Sequence, residues 1–95
     1  KMPVGIHLAE KESFTLNEVS FEKDDCIYIF SDGYVSQFGG EYGRKFMAKP
    51  FKKLLAIIAE KPMDKQYEIL DQEYEDWRGF NHQVDDILVI GIKFV

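Results

Sequence analysis

Residues 27–34 read IYIFSDGY, a run of four large apolar residues that ends in a serine, a carboxylate and a glycine. Consecutive apolar residues of this kind are typical of a strand that is buried in a sheet. Because burial disfavours a charged carboxylate, Asp32 at the end of this strand needs a physical reason. Two reasons stay open from the sequence. Asp-Gly is a common tight turn, or the buried strand holds the Asp32 carboxylate rigidly for a ligand.

A second apolar run, ILVIGIKFV over residues 87–95, directly follows Asp85 and Asp86. Its nearly continuous apolar character predicts a central strand that is covered on both faces. If this strand runs antiparallel to the first and beside it, all three aspartates converge at one sheet edge. Close carboxylates repel unless a cation lies between them, and oxygen ligands favour magnesium, manganese or calcium. The alternative is a hairpin turn at Asp32 and a solvated loop at Asp85 and Asp86.

The rest of the chain predicts further strands and two helices. Two short strands precede the quoted stretch, and the second is expected to form an antiparallel hairpin with residues 26–31. Amphipathic helices begin at Pro50 and Pro62, and Gly79 ends the second one. Strands, two helices and a final strand make an α+β arrangement. The other predicted segments are strands over 3–8 and 13–21 and a long ordered loop over 34–49.

Composition limits the class of protein. A chain of 95 residues, 45% of them hydrophobic, can form one small domain with a core. The net charge of −5 argues against a nucleic-acid partner. Cys26 is the single cysteine, which excludes a disulfide framework and predicts a reducing, cytoplasmic setting. No apolar run approaches the roughly 18 residues of a membrane span, so no membrane contact is expected. Because the sequence begins with Lys1, we expect residues 1–95 to be a fragment of one domain.

Four segments, in their order, resemble the C-terminal part of the metal-dependent protein phosphatases, the PPM or PP2C superfamily. The match is nearest to the bacterial branch that contains the sporulation stage II protein E domain. The resemblance implies an α-β-β-α sandwich, of which this chain supplies an antiparallel sheet with a helical pair. It also implies hydrolysis of phosphoserine or phosphothreonine by a metal-activated water. The segments are MPVG (2–5), IYIFSDGYVSQFGG (27–40), WRG (77–79) and QVDDILVIGIKF (83–94).

The resemblance also assigns site residues. It implies that Asp32 and Asp85 are ligands of a dinuclear manganese or magnesium centre, with Gly33 and Asp86 as supporting residues. The family's upstream Asp-Gly motif, whose aspartate bridges both metals, has no counterpart in this sequence. We therefore expect the fragment to be inactive and its parent to be a phosphatase in bacterial signal transduction. A phosphoprotein substrate and an upstream sensor or regulatory domain are the implied partners.

Other interpretations stay open beside this one. The chain could instead be a non-catalytic, pseudo-phosphatase interaction module. A basic cluster after Asp32 is either a solvated loop or a surface for an acidic phosphoprotein. An apolar stripe on the second helix is expected to pack in the core, with a dimer seam as the alternative. An apolar sheet face left uncovered predicts dimer formation. The cluster is Arg44, Lys45, Lys49, Lys52 and Lys53, and the stripe is Met63, Tyr67, Leu70, Tyr74 and Trp77.

Overall fold

A computed structural model describes residues 4–8 and 22–95, which form strands and helices in an α+β arrangement. This confirms the predicted fold class. The predicted strand over 13–21, and the hairpin that it was expected to form, lie outside the described residues. The elements are β1 (Val4–Leu8), β2 (Cys26–Ser31), α1 (Asp32–Val35), β3 (Phe38–Gly39), β4 (Arg44–Lys45), α2 (Ala48–Ile58), α3 (Met63–Arg78) and β5 (Val89–Lys93).

The main sheet has the strand order β1-β2-β5. β1 runs parallel to β2, and β5 runs antiparallel to it. Phe30 lies opposite Val89 in the register of the antiparallel pair, and Cys26 lies opposite Lys93. The end of β2 and the beginning of β5 therefore meet at one edge of the sheet. This is the adjacency on which the predicted convergence of aspartates depends.

The core lies between β2 and helix α2. Tyr28 and Phe30, which share one face of β2, are 1% and 0% exposed. Phe51 and Leu55 come from the apolar face of α2 and are equally buried. The rings of Phe30 and Phe51 meet edge to face with their centroids 4.8 Å apart, a favourable arrangement for aromatic pairs. Cys26 is buried at one end of this strand.

The two helices begin and end close to the predicted residues. Pro50 lies in the first turn of α2, and Pro62 directly precedes α3. Gly79 ends α3 with a positive φ of 55°, a conformation that favours glycine. The stripe on α3 packs only in part, because Tyr74 is buried whereas Tyr67 is 72% exposed. None of the described helices is long and apolar enough to cross a membrane.

The segment between β2 and α2 was predicted as a long ordered loop and contains more secondary structure than that. It contains the helical turn α1 and a small hairpin, in which Phe38 of β3 pairs with Lys45 of β4. Gly40 and Gly43, both with positive φ, form the turn between these strands. Strands of two residues carry no detectable periodicity, so the sequence pattern indicated only a glycine-containing loop.

β5 differs from its prediction. Within the described part of the chain it pairs with β2 alone and therefore lies at the edge of the sheet. Ile90 and Ile92 are 43% and 42% exposed. The prediction of a central strand covered on both faces is therefore wrong for this structure. The described neighbours of β5 bury only part of its apolar side chains.

Candidate functional site

Asp32 lies where β2 becomes α1. It is the first residue of this helical turn and is half-buried, whereas the following residues Gly33, Tyr34 and Val35 are buried. Gly33 has no positive φ, so Asp32 and Gly33 begin a helix and do not form a hairpin turn. The turn interpretation of the Asp-Gly pair is therefore wrong. The buried strand and the buried helical turn fix the backbone of Asp32 from both sides.

Ser31 joins this junction to the segment that precedes β5. Its backbone amide donates to the carbonyl of Leu88 at 3.0 Å. The amide of Leu88 donates in return to the Ser31 hydroxyl oxygen at 3.0 Å. The same hydroxyl donates to the carbonyl of Asp86 at 3.3 Å. These bonds extend the β2–β5 pairing beyond the strands and bring the Asp86 backbone beside the start of α1.

Gly33 is required by this close approach. A Cβ atom at residue 33 would overlap the carbonyl group of Asp86 and would lie 2.9 Å from a side-chain carbon of Ile87. Only a residue without a side chain lets the two segments come this close. The glycine of the Ser-Asp-Gly motif thus keeps Asp86 next to the residue that follows Asp32.

Asp85 and Asp86 both lie in an exposed loop, because β5 begins only at Val89. Successive side chains point to opposite faces only within a strand. Strand geometry therefore does not determine whether the Asp85 and Asp86 side chains point in different directions. A carboxylate oxygen of Asp85 accepts a hydrogen bond from the Asp86 amide at 2.8 Å. Gln83 donates to the carbonyl of Asp85 at 2.9 Å. The structure thus places Asp32 and this acidic pair at the same edge of the sheet, with the Asp85 carboxylate turned back onto its own loop.

The carboxylates at this edge are of a type that hard cations bind, but they are few. Asp32 and Asp85 offer oxygen, the donor that magnesium and manganese prefer. Within residues 4–8 and 22–95, no group of three or more His, Cys, Asp or Glu side chains is arranged to hold a metal ion. Such ions take about six oxygen ligands. The two carboxylates are fewer donors than such an ion needs, so the described residues do not form a complete metal site by themselves.

Gln37 is a positioning residue that the sequence analysis missed. Its side chain is fully buried, with 0% exposure. Its amide nitrogen donates to the carbonyl of His82 at 2.9 Å. Its amide oxygen accepts from the Tyr74 hydroxyl at 2.8 Å and from the Val84 amide at 3.3 Å. Gln37 therefore ties the exit of α1 to α3 and to the segment that carries Asp85. A single glutamine in a glycine-rich segment gave no signal of this role.

Trp77 holds the β3–β4 hairpin against α3. Its indole N–H donates to the carbonyl of Gln37 at 2.8 Å, and its own carbonyl accepts from the Gly40 amide at 3.0 Å. A Cβ atom at Gly39 would overlap the Trp77 carbonyl, and one at Gly40 would overlap the indole ring. The Gly-Gly pair and the tryptophan, both noted in the sequence, therefore form one contact.

Two buried tyrosines, one in β2 and one in α1, serve packing. Burial raises the pKa of Tyr28 to about 12 and raises the pKa of Tyr34 further. The Tyr28 hydroxyl donates to the side-chain oxygen of Gln66 at 2.6 Å, and that of Tyr34 donates to the carbonyl of Leu70 at 2.7 Å. Both hydroxyls therefore stay protonated at neutral pH and join the sheet and α1 to α3.

The β2–α1 junction, the helical pair and the antiparallel return strand are consistent with a fragment of a PP2C-type phosphatase domain. The fold is similar to the solved SiaA-PP2C domain of Pseudomonas aeruginosa, with a TM-score of 0.69 and 31% sequence identity. This match covers 72% of the present chain and 28% of the solved one, so the chain spans less than a third of that neighbour. No protein-family model matches the sequence, and no curated protein matches it.

Proposed function

We propose that the chain supplies part of the active site of a metal-dependent protein serine/threonine phosphatase in bacterial signal transduction. The observation that carries the proposal is the meeting of Asp32 with the Asp85–Asp86 loop at one sheet edge. The similarity to a PP2C domain supports the same reaction class. A sporulation stage II protein E-like branch, a cytoplasmic location and a phosphoserine or phosphothreonine substrate belong to this proposal.

The residues of this chain have distinct roles in the proposed site. Asp32 and Asp85 would hold manganese or magnesium, which when bound activates water and offsets charge on the phosphoryl oxygens. Asp32 is fixed by the β2–α1 junction. Ser31 and Gly33 keep the Asp86 backbone in place, and Gln37 fixes the segment that leads to it. Asp86 supports the loop and is not assigned as a ligand.

The incomplete ligand set has a consequence for activity. Because Asp32 and Asp85 supply fewer donors than two ions need, the remaining ligands belong to another part of the domain. We therefore expect the 95 residues alone to show only background hydrolysis of a small aryl phosphate with manganese. The same incomplete set favours the second candidate, a non-catalytic interaction module, if no such part exists in the gene product. A sensor or regulatory domain is a further proposed partner.

Substitutions of the three aspartates in the full-length gene product test the proposal. Asp32→Asn and Asp85→Asn each remove a charged ligand and should lower manganese-dependent turnover by about two orders of magnitude or more. Asp86→Asn is the matched control at the neighbouring position, and its loss should be much smaller. Manganese titrations with a small aryl phosphate measure the effect, and circular dichroism checks that each variant folds.

Two results would contradict the proposal. A wild-type full-length protein without metal-dependent turnover would favour the interaction module. Loss of turnover in Asp86→Asn with full turnover in Asp85→Asn would overturn the ligand assignment while leaving the reaction class intact.

A further inference from the structure

The region after the site has the opposite charge to the rest of the chain. Residues 38–53 contain five basic residues and the single acid Glu41, so they carry +4, while the other 79 residues carry −9 of the total −5. All five basic side chains are exposed. We name them the basic hairpin surface, which comprises Arg44, Lys45, Lys49, Lys52 and Lys53.

These cations are available to a partner. The ion pairs that join described residues, Lys65–Glu68 and Arg78–Glu75, lie on α3, and none of the five pairs with a described acid. Arg44 lies over the ring of Tyr42 at 5.5 Å from its centroid. Lys45 lies 5.8 Å from the ring centroid of Phe38. Such contacts orient a cation at an exposed site without using its N–H donors. The surface thus combines free positive charge with exposed aromatic rings.

The backbone beneath this surface is fixed. The amide of Phe46 donates to the carbonyl of Gln37 at 3.0 Å, and that of Met47 donates to the carbonyl of Val35 at 2.8 Å. Met47 has a φ of 80°, which a non-glycine residue adopts only where its surroundings impose it. Together with the contact between Trp77 and the hairpin, these bonds make the surface preorganised. A preorganised surface loses less entropy when it binds a partner.

The surface follows the proposed site closely along the chain, because β3 begins three residues after α1, the helical turn that starts at Asp32. We propose that the basic hairpin surface docks an acidic segment that flanks the phosphorylated residue of the substrate protein. This inference rests on the proposed phosphatase function. A strongly negative remainder of the chain would repel nucleic acid and anionic lipid, whereas a short acidic peptide can bind locally.

The test uses the full-length gene product and two triple variants of equal charge change. R44E/K45E/K49E reverses the charge of three of the five residues in the basic hairpin surface, and K23E/K61E/K65E reverses three exposed lysines elsewhere. The probes are a phosphoserine peptide flanked by glutamates, the same peptide flanked by alanines, and a small aryl phosphate. The hairpin variant should raise KM for the acidic peptide at least about tenfold with little change in kcat. The hairpin variant should turn over the other two probes as wild type does. The control variant should match wild type with all three probes. Added salt should reduce the difference in KM for the acidic peptide between the hairpin variant and wild type.

A binding experiment separates this inference from the reaction itself. Fluorescence anisotropy with the unphosphorylated acidic peptide should show binding to wild type and to the control variant, and about tenfold weaker binding to the hairpin variant. If wild type shows no turnover yet this pattern holds, the phosphatase proposal fails and the acidic docking surface stands. Equal losses in both variants would overturn the surface, since net charge alone would explain them. Tighter binding to a short DNA duplex or to phosphatidylglycerol vesicles would also overturn it.

Discussion

The two apolar strands β2 and β5 lie side by side in one sheet and have very different surroundings. In β2, Tyr28 and Phe30 are 1% and 0% exposed, while in β5 Ile90 and Ile92 are 43% and 42% exposed. Their sequences are similarly apolar, so composition does not explain the difference. β2 has β1 on one side, β5 on the other and the helices over one face. Burial of a strand is decided by its neighbours, which a local pattern does not reveal.

The region around β5 is open in two directions. On the face shared with Tyr28, a groove of about 690 Å³ separates α3 from β5 and is lined by Met63, Tyr67 and Gly91. On the other face Ile90 and Ile92 are exposed. Within the described residues, no further strand pairs with the outer edge of β5. An apolar strand with this exposure fits a second layer that packs on it.

The largest expected effect concerns the buried region between α1, α3 and the loop before β5. We predict that the stability of this region depends on Gln37. Gln37→Leu leaves the Tyr74 hydroxyl, the Val84 amide and the His82 carbonyl without their buried partner. The free energy of unfolding should fall by about 2–4 kcal/mol, since a buried polar group left unpaired costs about 1–3 kcal/mol and the backbone groups of the exposed residues His82 and Val84 can bind water instead. Urea denaturation followed by circular dichroism measures this. Gln72→Leu, at an exposed position of α3, is the control and should change stability by less than about 0.5 kcal/mol. Equal effects of the two substitutions would show that the Gln37 contacts do not stabilise this buried region.

Much of the fold followed from local patterns in the sequence. The helices near Pro50 and Pro62 and the stop at Gly79 match the predictions. These features depend on periodicity and on residues with restricted backbone conformations, which are visible in a single sequence. The surroundings of β5 and the small hairpin were not predictable, because both depend on contacts between distant segments.

The candidate site shows the same division. The sequence placed Asp32 and the Asp85–Asp86 pair at strand ends, and the structure brings these ends together. The reason for Gly33 was not predictable, because it lies in the close approach of Asp86, 53 residues further along the chain. Gln37 was missed for the same reason, since its partners come from α3 and from the loop before β5. Roles that depend on tertiary contact leave no local signal.

A second, smaller effect should appear at alkaline pH. Burial raises the pKa of Tyr28 to about 12 in the folded chain, whereas an unfolded tyrosine ionises near pH 10. The folded state therefore holds this proton more tightly, so its stabilising contribution is complete below about pH 10 and is lost as the pH rises towards 12. The raised pKa of Tyr34 acts in the same direction. Unfolding free energies measured across this range should fall, and Tyr28→Phe should make the fall less steep. A slope unchanged by this substitution would contradict the assignment to Tyr28.

The smallest effect on stability is expected on the open face of β5. Ile92→Thr removes apolar surface that is already 42% exposed, so the free energy of unfolding should fall by less than about 1 kcal/mol. Ile27 lies opposite Ile92 in the register of β2 and is 7% exposed, which makes Ile27→Thr the matched control. Its cost should be about 1–3 kcal/mol, because it introduces a buried hydroxyl and removes buried carbon.

The two threonine variants should rank in the opposite order when self-association is measured: Ile92→Thr should have the larger effect and Ile27→Thr the smaller. An exposed apolar face next to a strand edge that pairs with no described strand favours association between copies. Wild type and Ile27→Thr, compared while still folded, should both show a mass in light scattering that increases with concentration. Ile92→Thr, and more so the double variant with Ile90→Thr, should shift that increase to higher concentration. If wild type stays a monomer at high concentration, the open face of β5 needs no partner to remain soluble. The contrast between β2 and β5 would then reflect an edge strand that is stable by itself, without a second layer.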